Sequence, residues 1–232
     1  NRDPATRVDR DATVTVHDEE TPFVSRGGIK LDHAIAAWRL PVSGLVFVDA
    51  GSSTGGFTQV LLAHGARLVH AVDVGYNQLD YRLRRDERVH VHERTNIMHV
   101  SALDPPADAS VADLSFRSLR GAAGHLLGLG RAGWAVLLVK PQFEWEAPPP
   151  EFTGTVANAE LLEILRQTLA GVKQEGGRLA GLLESPITGP KGNREFLALV
   201  WSDVGSVDGS GALPEALRRD VSASELVAGV LP

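Results

Sequence analysis

Apolar and polar positions along this chain change period several times, and each change marks a strand or a helix. Leu31, Ala34, Ile35 and Trp38 recur at helical spacing, so a helix is expected over residues 31–40. Residues 45–50 are an almost unbroken apolar run ending in a glycine-rich turn, as in a strand buried on both faces. A helix over about residues 57–64 follows. Further strands are expected at residues 68–72, 89–92, 110–112 and 134–139, with a helix over about 119–127 before the last of these. After a proline-rich loop at 147–150, residues 157–174 carry the longest helical pattern, and strands at 179–183 and 196–200 complete a set of seven. Alternation of this kind specifies an α/β fold with a doubly wound, mostly parallel, seven-stranded sheet.

The two ends break the pattern. Residues 1–24 are charged, with one alternating stretch at 12–16 that reads as an edge strand. Asn1 is no natural start, and the chain is expected to begin inside a longer protein. Residues 203–211 read as a linker and about 214–230 as a last amphipathic helix. The expected organisation is therefore an N-terminal remnant and linker (1–24), one α/β domain (25–202), and a C-terminal linker and helix (203–232).

Composition narrows the possibilities. With 43% apolar residues in 232, the chain has enough apolar side chains for one large packed domain. It contains no cysteine, which removes disulfides, thiolate metal sites and cysteine nucleophiles, and suits a reducing cytoplasm. No apolar run approaches the ~18 residues of a membrane span, so no membrane partner is expected. His90, His92 and His99 lack carboxylate or cysteine partners at ligand spacing, and alternation places His90 and His92 on one solvated strand face; no metal is expected. The net charge of −6 is unusual for a nucleic-acid binder. However, Arg82, Arg84, Arg85, Arg88 and Arg94 are clustered, and contact with RNA phosphates is weighed for Arg82, Arg84 and Arg85.

The chemistry concentrates after the first strand, in Asp49-Ala50-Gly51-Ser52-Ser53-Thr54-Gly55-Gly56-Phe57. In doubly wound sheets ligands bind outside the carboxyl ends of the strands, where glycines permit close backbone approach. No lysine followed by serine or threonine comes after these glycines, so the turn is not a P-loop. It also lacks the Gly-x-Gly-x-x-Gly spacing of dinucleotide folds, and Asp49 would repel a pyrophosphate. S-adenosylmethionine (SAM) instead carries an ammonium and a sulfonium, which an acid favours. The second strand ends in Asp73, where a carboxylate can accept both hydroxyls of a ribose.

Four further segments matter: Ser25-Arg26-Gly27-Gly28-Ile29-Lys30-Leu31, Asp113-Leu114-Ser115-Phe116, Leu138-Val139-Lys140-Pro141-Gln142-Phe143-Glu144, and Gly189-Pro190-Lys191-Gly192-Asn193-Arg194-Glu195-Phe196. With Asp49–Phe57, Ala71-Val72-Asp73-Val74-Gly75-Tyr76 and Glu93-Arg94-Thr95-Asn96, they closely resemble, in order, the TlyA family of bacterial rRNA 2′-O-methyltransferases. That family is related to FtsJ and has long also been labelled haemolysin. The resemblance runs from about Ala5 to Val200. It implies a Rossmann-like SAM-dependent methyltransferase fold, a cytoplasmic enzyme, and rRNA or ribosomal subunits, with cytidine as the modified nucleotide.

The resemblance further implies a catalytic tetrad of Lys30, Asp113, Lys140 and Glu195. Asp49, Gly51, Ser52, Ser53, Thr54, Gly55, Gly56 and Phe57 would hold the methionine part of SAM, Asp73 and Val74 its ribose, with Asn96 near the adenine and Asp113 beside the cofactor. Arg26 and Phe116 join the three arginines as candidate RNA contacts, and Phe116 or Trp145 is a candidate to stack on an extruded base. Family members begin with a small RNA-binding domain, of whose last strand residues 5–16 are reminiscent. Most of that domain is absent from the sequence, which would explain the acidic remainder.

The tetrad also makes physical sense. A ribose hydroxyl is a poor nucleophile and needs a group that aligns or deprotonates it. A lysine acts as a base only when its charged form is disfavoured; three pKa units are about 4 kcal/mol. A second cation at ~4 Å supplies about that much at an effective dielectric of ~20. Lys30 is the candidate for that cation, whereas Asp113 and Glu195 oppose the effect and are better suited to orienting the other groups. Two segments depart from the family. The loop after Glu144, Trp145 to Val156, is shortened and acidic, and Arg117 stands where an apolar residue is common. Two other readings stay open: a haemolysin-like membrane-active protein and a catalytically degenerate SAM-binding module.

Overall fold

Seven strands form one sheet: β1 (Val46–Ala50), β2 (Leu68–Val72), β3 (Val89–His92), β4 (Ala109–Ala112), β5 (Trp134–Val139), β6 (Arg178–Glu184) and β7 (Phe196–Trp201). Their order is β3-β2-β1-β4-β5-β7-β6. β7 runs antiparallel to both neighbours, and the other pairings are parallel. The computed structural model describes residues 21–115, 118–203 and 211–231. The expected strand at 12–16, Phe116 and Arg117, and most of the expected linker lie outside the described residues.

Central strands read as apolar runs because helices cover both faces of the sheet. The helices are α1 (Gly27–Trp38), α2 (Gly56–Ala63), α3 (Tyr81–Arg84), α4 (Ala123–Leu129), α5 (Pro141–Glu144), α6 (Asn158–Gln174) and α7 (Ala223–Val230). Along β1, Val46, Val48 and Ala50 pack with Leu126 of α4, Leu165 of α6 and Val227 of α7. Phe47, on the other face, packs with Leu31 of α1 and Leu61 of α2. The chain moves outward from β1 to β2 and β3, then returns to place β4 on the opposite side of β1. That reversal opens a crevice beyond the carboxyl ends of β1 and β4.

Several boundaries differ from the sequence reading, each for a local reason. α1 starts four residues early, because Gly27 and Gly28 are helical rather than a turn. A Cβ at Gly28 would lie 2.4 Å from the Phe23 ring, so glycine there permits close packing. Residues 119–122 are turns rather than the start of α4; Gly121 has φ +85°, and carboxylates from elsewhere in the fold hold this stretch. The last helix is broken. A 3₁₀ turn, Glu215–Leu217, precedes α7, and between them Val221 N donates to Leu179 O at 2.9 Å, extending the pairing beyond β6. Leu213 and Leu217 serve one core and Val227 the other, so one apolar periodicity is divided between two elements.

His90 and His92 are not a solvated face. Both rings pack against the buried His70 ring of β2, and His92 Nε2 lies 3.1 Å from His70 Nδ1. Among the described residues no helix is long and apolar enough to cross a membrane.

Candidate active site

The crevice is built first by the turn between β1 and α2. Gly51 and Gly55 adopt φ +80° and +99°, which L side chains rarely take. A Cβ on Gly51 would lie 2.5 Å from the Asp113 carbonyl oxygen, so glycine lets the turn close directly onto the segment after β4. Gly51 N donates to Val72 O (2.8 Å) and Gly55 N to Ser52 O (2.7 Å), fixing the turn against β2.

Three adjoining cavities occupy the crevice. One of about 450 Å³ lies beside the end of β2 and is walled by Asp73, Val74, Asn96 and Leu114. One of about 300 Å³ lies against α1, walled by Arg26, Lys30, Ser52, Thr54, Gly56 and Phe57. Gly51, Ser53 and Asp113 border both. A third, of about 440 Å³, lies beyond β5 and is walled by Lys140, Gln142, Phe143, Phe152, Lys191 and Glu195. Ser115 borders the first and third, and Pro190 the second and third.

Asp73 spans the mouth of the first cavity. Its Oδ2 accepts from Ser53 N at 2.8 Å and its Oδ1 from Gly75 N at 2.6 Å, so two turns fix the carboxylate while each oxygen keeps a second lone pair. Asn96 accepts from Met98 N at 3.0 Å, capping the short 3₁₀ turn Ile97–His99.

Asp49 stands differently from its expected role. It is completely buried and borders none of the three cavities; its Oδ2 accepts from Thr58 Oγ1 at 2.6 Å, while Oδ1 has no partner. Burial pushes this carboxyl up from 3.8 to about 7, opposed by Thr58 and reinforced by the charges of Asp113 and Asp73. Its place is beneath the turn, behind the residues that wall the cavities. Gly55 also turns inward, with its α-carbon against Leu79 and Leu83.

The four tetrad residues come together as two ion pairs. Lys30 Nζ lies 2.5 Å from Glu195 Oε2, and Glu195 is 1% exposed. Lys140 Nζ lies 2.5 Å from Asp113 Oδ1 and donates to Ser115 Oγ at 3.0 Å. Lys30 lines the second cavity and Glu195 the third, while Asp113 lines the first and second and Lys140 the third. Each lysine is thus matched by a carboxylate. Lys30, the candidate second cation, is paired with Glu195, 165 residues away in sequence, one of the two acids expected to oppose that effect.

The arginine run forms no bare basic stripe. Arg82 pairs with Asp80 at 3.0 Å, Arg84 with Glu93 at 2.5 Å and Arg88 with Asp86 at 2.7 Å, while Arg85 donates to the Tyr81 hydroxyl. None of the three expected RNA arginines borders the cavities described. Arg26 does, and its guanidinium also donates to Thr188 O. Trp145 packs edge-on against Phe152 (5.2 Å between centroids), so it supports the cavity wall that Phe152 forms. The altered loop is anchored: Glu146 pairs with Arg120, and Asn193 accepts from Val156 N (2.9 Å) and donates to Gly154 O (2.7 Å). Sequence reasoning missed Ser115, which borders two of the cavities and accepts from Lys140, although it lies inside a motif that was singled out.

A family model, FtsJ-like methyltransferase, matches residues 23–202. The chain belongs to the FtsJ-like methyltransferase family. It is 41% identical over 224 residues to the 16S/23S rRNA (cytidine-2′-O)-methyltransferase TlyA of Mycobacterium tuberculosis, covering 94% of this chain and 84% of that one. It is also 41% identical over 225 residues to the candidate rRNA methyltransferase YqxC of Bacillus subtilis, covering 94% and 79%. Among solved structures, a candidate hemolysin from Lactococcus lactis superposes with a TM-score of 0.75 at 33% identity, covering 90% of this chain and 99% of that one. The FtsJ-like match spans every strand of the sheet and all four tetrad residues.

Proposed function

We propose that this FtsJ-like methyltransferase uses SAM to methylate a ribose 2′-hydroxyl, that of a cytidine in ribosomal RNA. The observation that carries the reading is the placement of the Lys140–Asp113 and Lys30–Glu195 pairs where the three cavities adjoin. The names of the similar TlyA and YqxC proteins support RNA as the substrate class.

The residues present fit SAM. The first two cavities fall in the size range of small-molecule sites. Asp73 offers lone pairs to a ribose, Asn96 and Leu114 flank the space for an adenine, and the turn 51–56 with Asp113 encloses the space for the amino-acid part. The orphaned Oδ1 of Asp49 leaves unbalanced negative potential beneath that turn, which favours a cationic ligand. When bound, SAM supplies an electrophilic methyl group.

The protein's own part is alignment. Lys140 donates to Ser115 Oγ at 3.0 Å and its ammonium lies 2.5 Å from Asp113 Oδ1 as an ion pair, which leaves ammonium hydrogens for a ribose oxygen. Lys140, its ammonium beside the Asp113 carboxylate, would hold and aim the hydroxyl oxygen at the methyl group that SAM supplies, the hydroxyl proton passing to solvent water. Fixing two reactants in this way supplies several kcal/mol of the barrier reduction. Lys30 and Glu195, sealed from water, shape the wall against which the sugar rests.

Calorimetry with SAM and transfer of labelled methyl to ribosomal subunits test the reading together. SAM binding with label entering rRNA is expected. SAM binding without transfer to any rRNA would favour a degenerate binding module.

A further inference from the structure

A ribose that presents its 2′-hydroxyl to Lys140 carries a phosphate on the neighbouring 3′ carbon, so a negative charge enters the site with the sugar. The tetrad offers that charge no net positive partner, because Lys30 is paired with Glu195 and Lys140 with Asp113. Among the described residues, one further cation stands on the wall of the third cavity, Lys191. It lies in the turn between β6 and β7, in the motif from which the tetrad draws only Glu195.

That turn is tightly bonded. Gly189 N donates to Asn193 O at 2.8 Å and Gly192 N to Gly189 O at 2.9 Å, with Gly192 at φ +82°. Asn193, only 3% exposed, joins the turn to the altered loop through Val156 N and Gly154 O. Lys191 lies across the same loop. A Cβ on Gly154 would stand 3.0 Å from its Nζ and 3.6 Å from its Cδ, so glycine there gives the side chain its seat. Its ammonium donates to Thr153 O at 3.3 Å. Among the described residues it forms no ion pair, unlike Arg82, Arg84 and Arg88. An ammonium with one carbonyl acceptor keeps donors for an anion, and a side chain already laid against a wall loses less rotamer freedom on binding one. We propose that Lys191 binds the phosphate 3′ to the methylated ribose, holding the sugar so that its 2′-oxygen meets Lys140. The inference rests on the functional reading above and adds a grip on the RNA backbone that positions without reading sequence.

The test compares Lys191→Gln and Lys191→Arg with the parent chain. Glutamine keeps a donor for Thr153 O without the charge; arginine keeps the charge. For labelled methyl transfer to rRNA, kcat/KM should fall about 10-fold in the glutamine variant. The loss should appear chiefly in KM, because the contact is made equally in the ground and transition states. The slope of log kcat/KM against log salt should become shallower by about 0.7–0.9 in that variant, while arginine keeps the parent's slope. The Kd for SAM should stay within about 2-fold in both. When a neutral methylphosphonate replaces the 3′ phosphate of the mapped cytidine, parent and glutamine variant should react equally. The proposal is overturned if the glutamine variant keeps the parent's salt slope, which would leave Lys191 as a structural tie to Thr153. It is also overturned if the methylphosphonate slows that variant as much as it slows the parent. A parent chain inactive on all rRNA would sink the functional reading instead, and the salt slopes of RNA binding by parent and glutamine variant would still decide the role of Lys191.

Discussion

Removing one member of the Lys30–Glu195 pair leaves the other charged and almost sealed from water, at 7% and 1% exposure. Breaking such a pair costs about 3–5 kcal/mol, whereas replacing both partners by apolar groups of similar volume is close to neutral. Lys30→Met should accordingly lower stability in urea titrations by about 3 kcal/mol, and Lys30→Met combined with Glu195→Leu should recover most of the loss while leaving methyl transfer impaired. Equal destabilisation by the single and double variants would show that the pair is not coupled. Asp49 behaves oppositely with pH. Its carboxyl rises from 3.8 in the unfolded chain to about 7 in the fold, so the folded state holds the proton more tightly. Its contribution to stability is full below pH 3.8, declines as pH rises, and is gone above about 7, where the buried charge is paid for in full. Asp49→Asn removes the titration. The variant should gain on the parent between about pH 5 and pH 8, by no more than about 4 kcal/mol, measured by denaturation at both pH values; parallel curves would contradict this. Binding of a cationic ligand favours the ionised carboxyl, so SAM affinity should also rise across the same interval in the parent and less so in the variant.

At the scale of elements, the turn between β1 and α2 shows how local geometry and site are joined. Gly51→Ala forces a side chain into a left-handed backbone and against the Asp113 carbonyl. It should cost more than about 1 kcal/mol of stability and weaken SAM binding, because the turn and the segment after β4 must separate; unchanged calorimetric affinity would be the contrary result. The strands were legible in the sequence because β1, β4 and β5 are covered on both faces and are apolar but for Asp49 and Ser110. Helix ends were less so. α1 begins in a pair of glycines that resemble a turn, and residues 119–122 are held as turns by carboxylates remote in sequence, Glu144 and Glu175. The single helix expected over 214–230 failed because its apolar spacing serves two cores. In the site, the motifs named Lys30, Asp113, Lys140 and Glu195, which the fold brings together, but not how they pair. Nothing in the order of Lys30, Asp113, Lys140 and Glu195 indicates which lysine meets which acid; the pairing found is the one on which the proposed alignment role rests.

For the whole molecule, charge is the governing quantity. The chain carries −6 overall, and within the arginine run Arg82, Arg84 and Arg88 are already engaged by Asp80, Glu93 and Asp86. The chain alone should therefore bind rRNA weakly and with strong salt dependence. Tight binding at about 200 mM salt in a filter-binding titration would show that these pairs open readily towards phosphate. The most direct test of the central claim is the position of the methyl group in the product. After incubation with labelled SAM and ribosomal RNA, alkaline hydrolysis should leave the label in a resistant dinucleotide that begins with 2′-O-methylcytidine, and Lys140→Ala should abolish it while still binding SAM. Label recovered on a base, or full transfer by the Lys140→Ala variant, would contradict the claim.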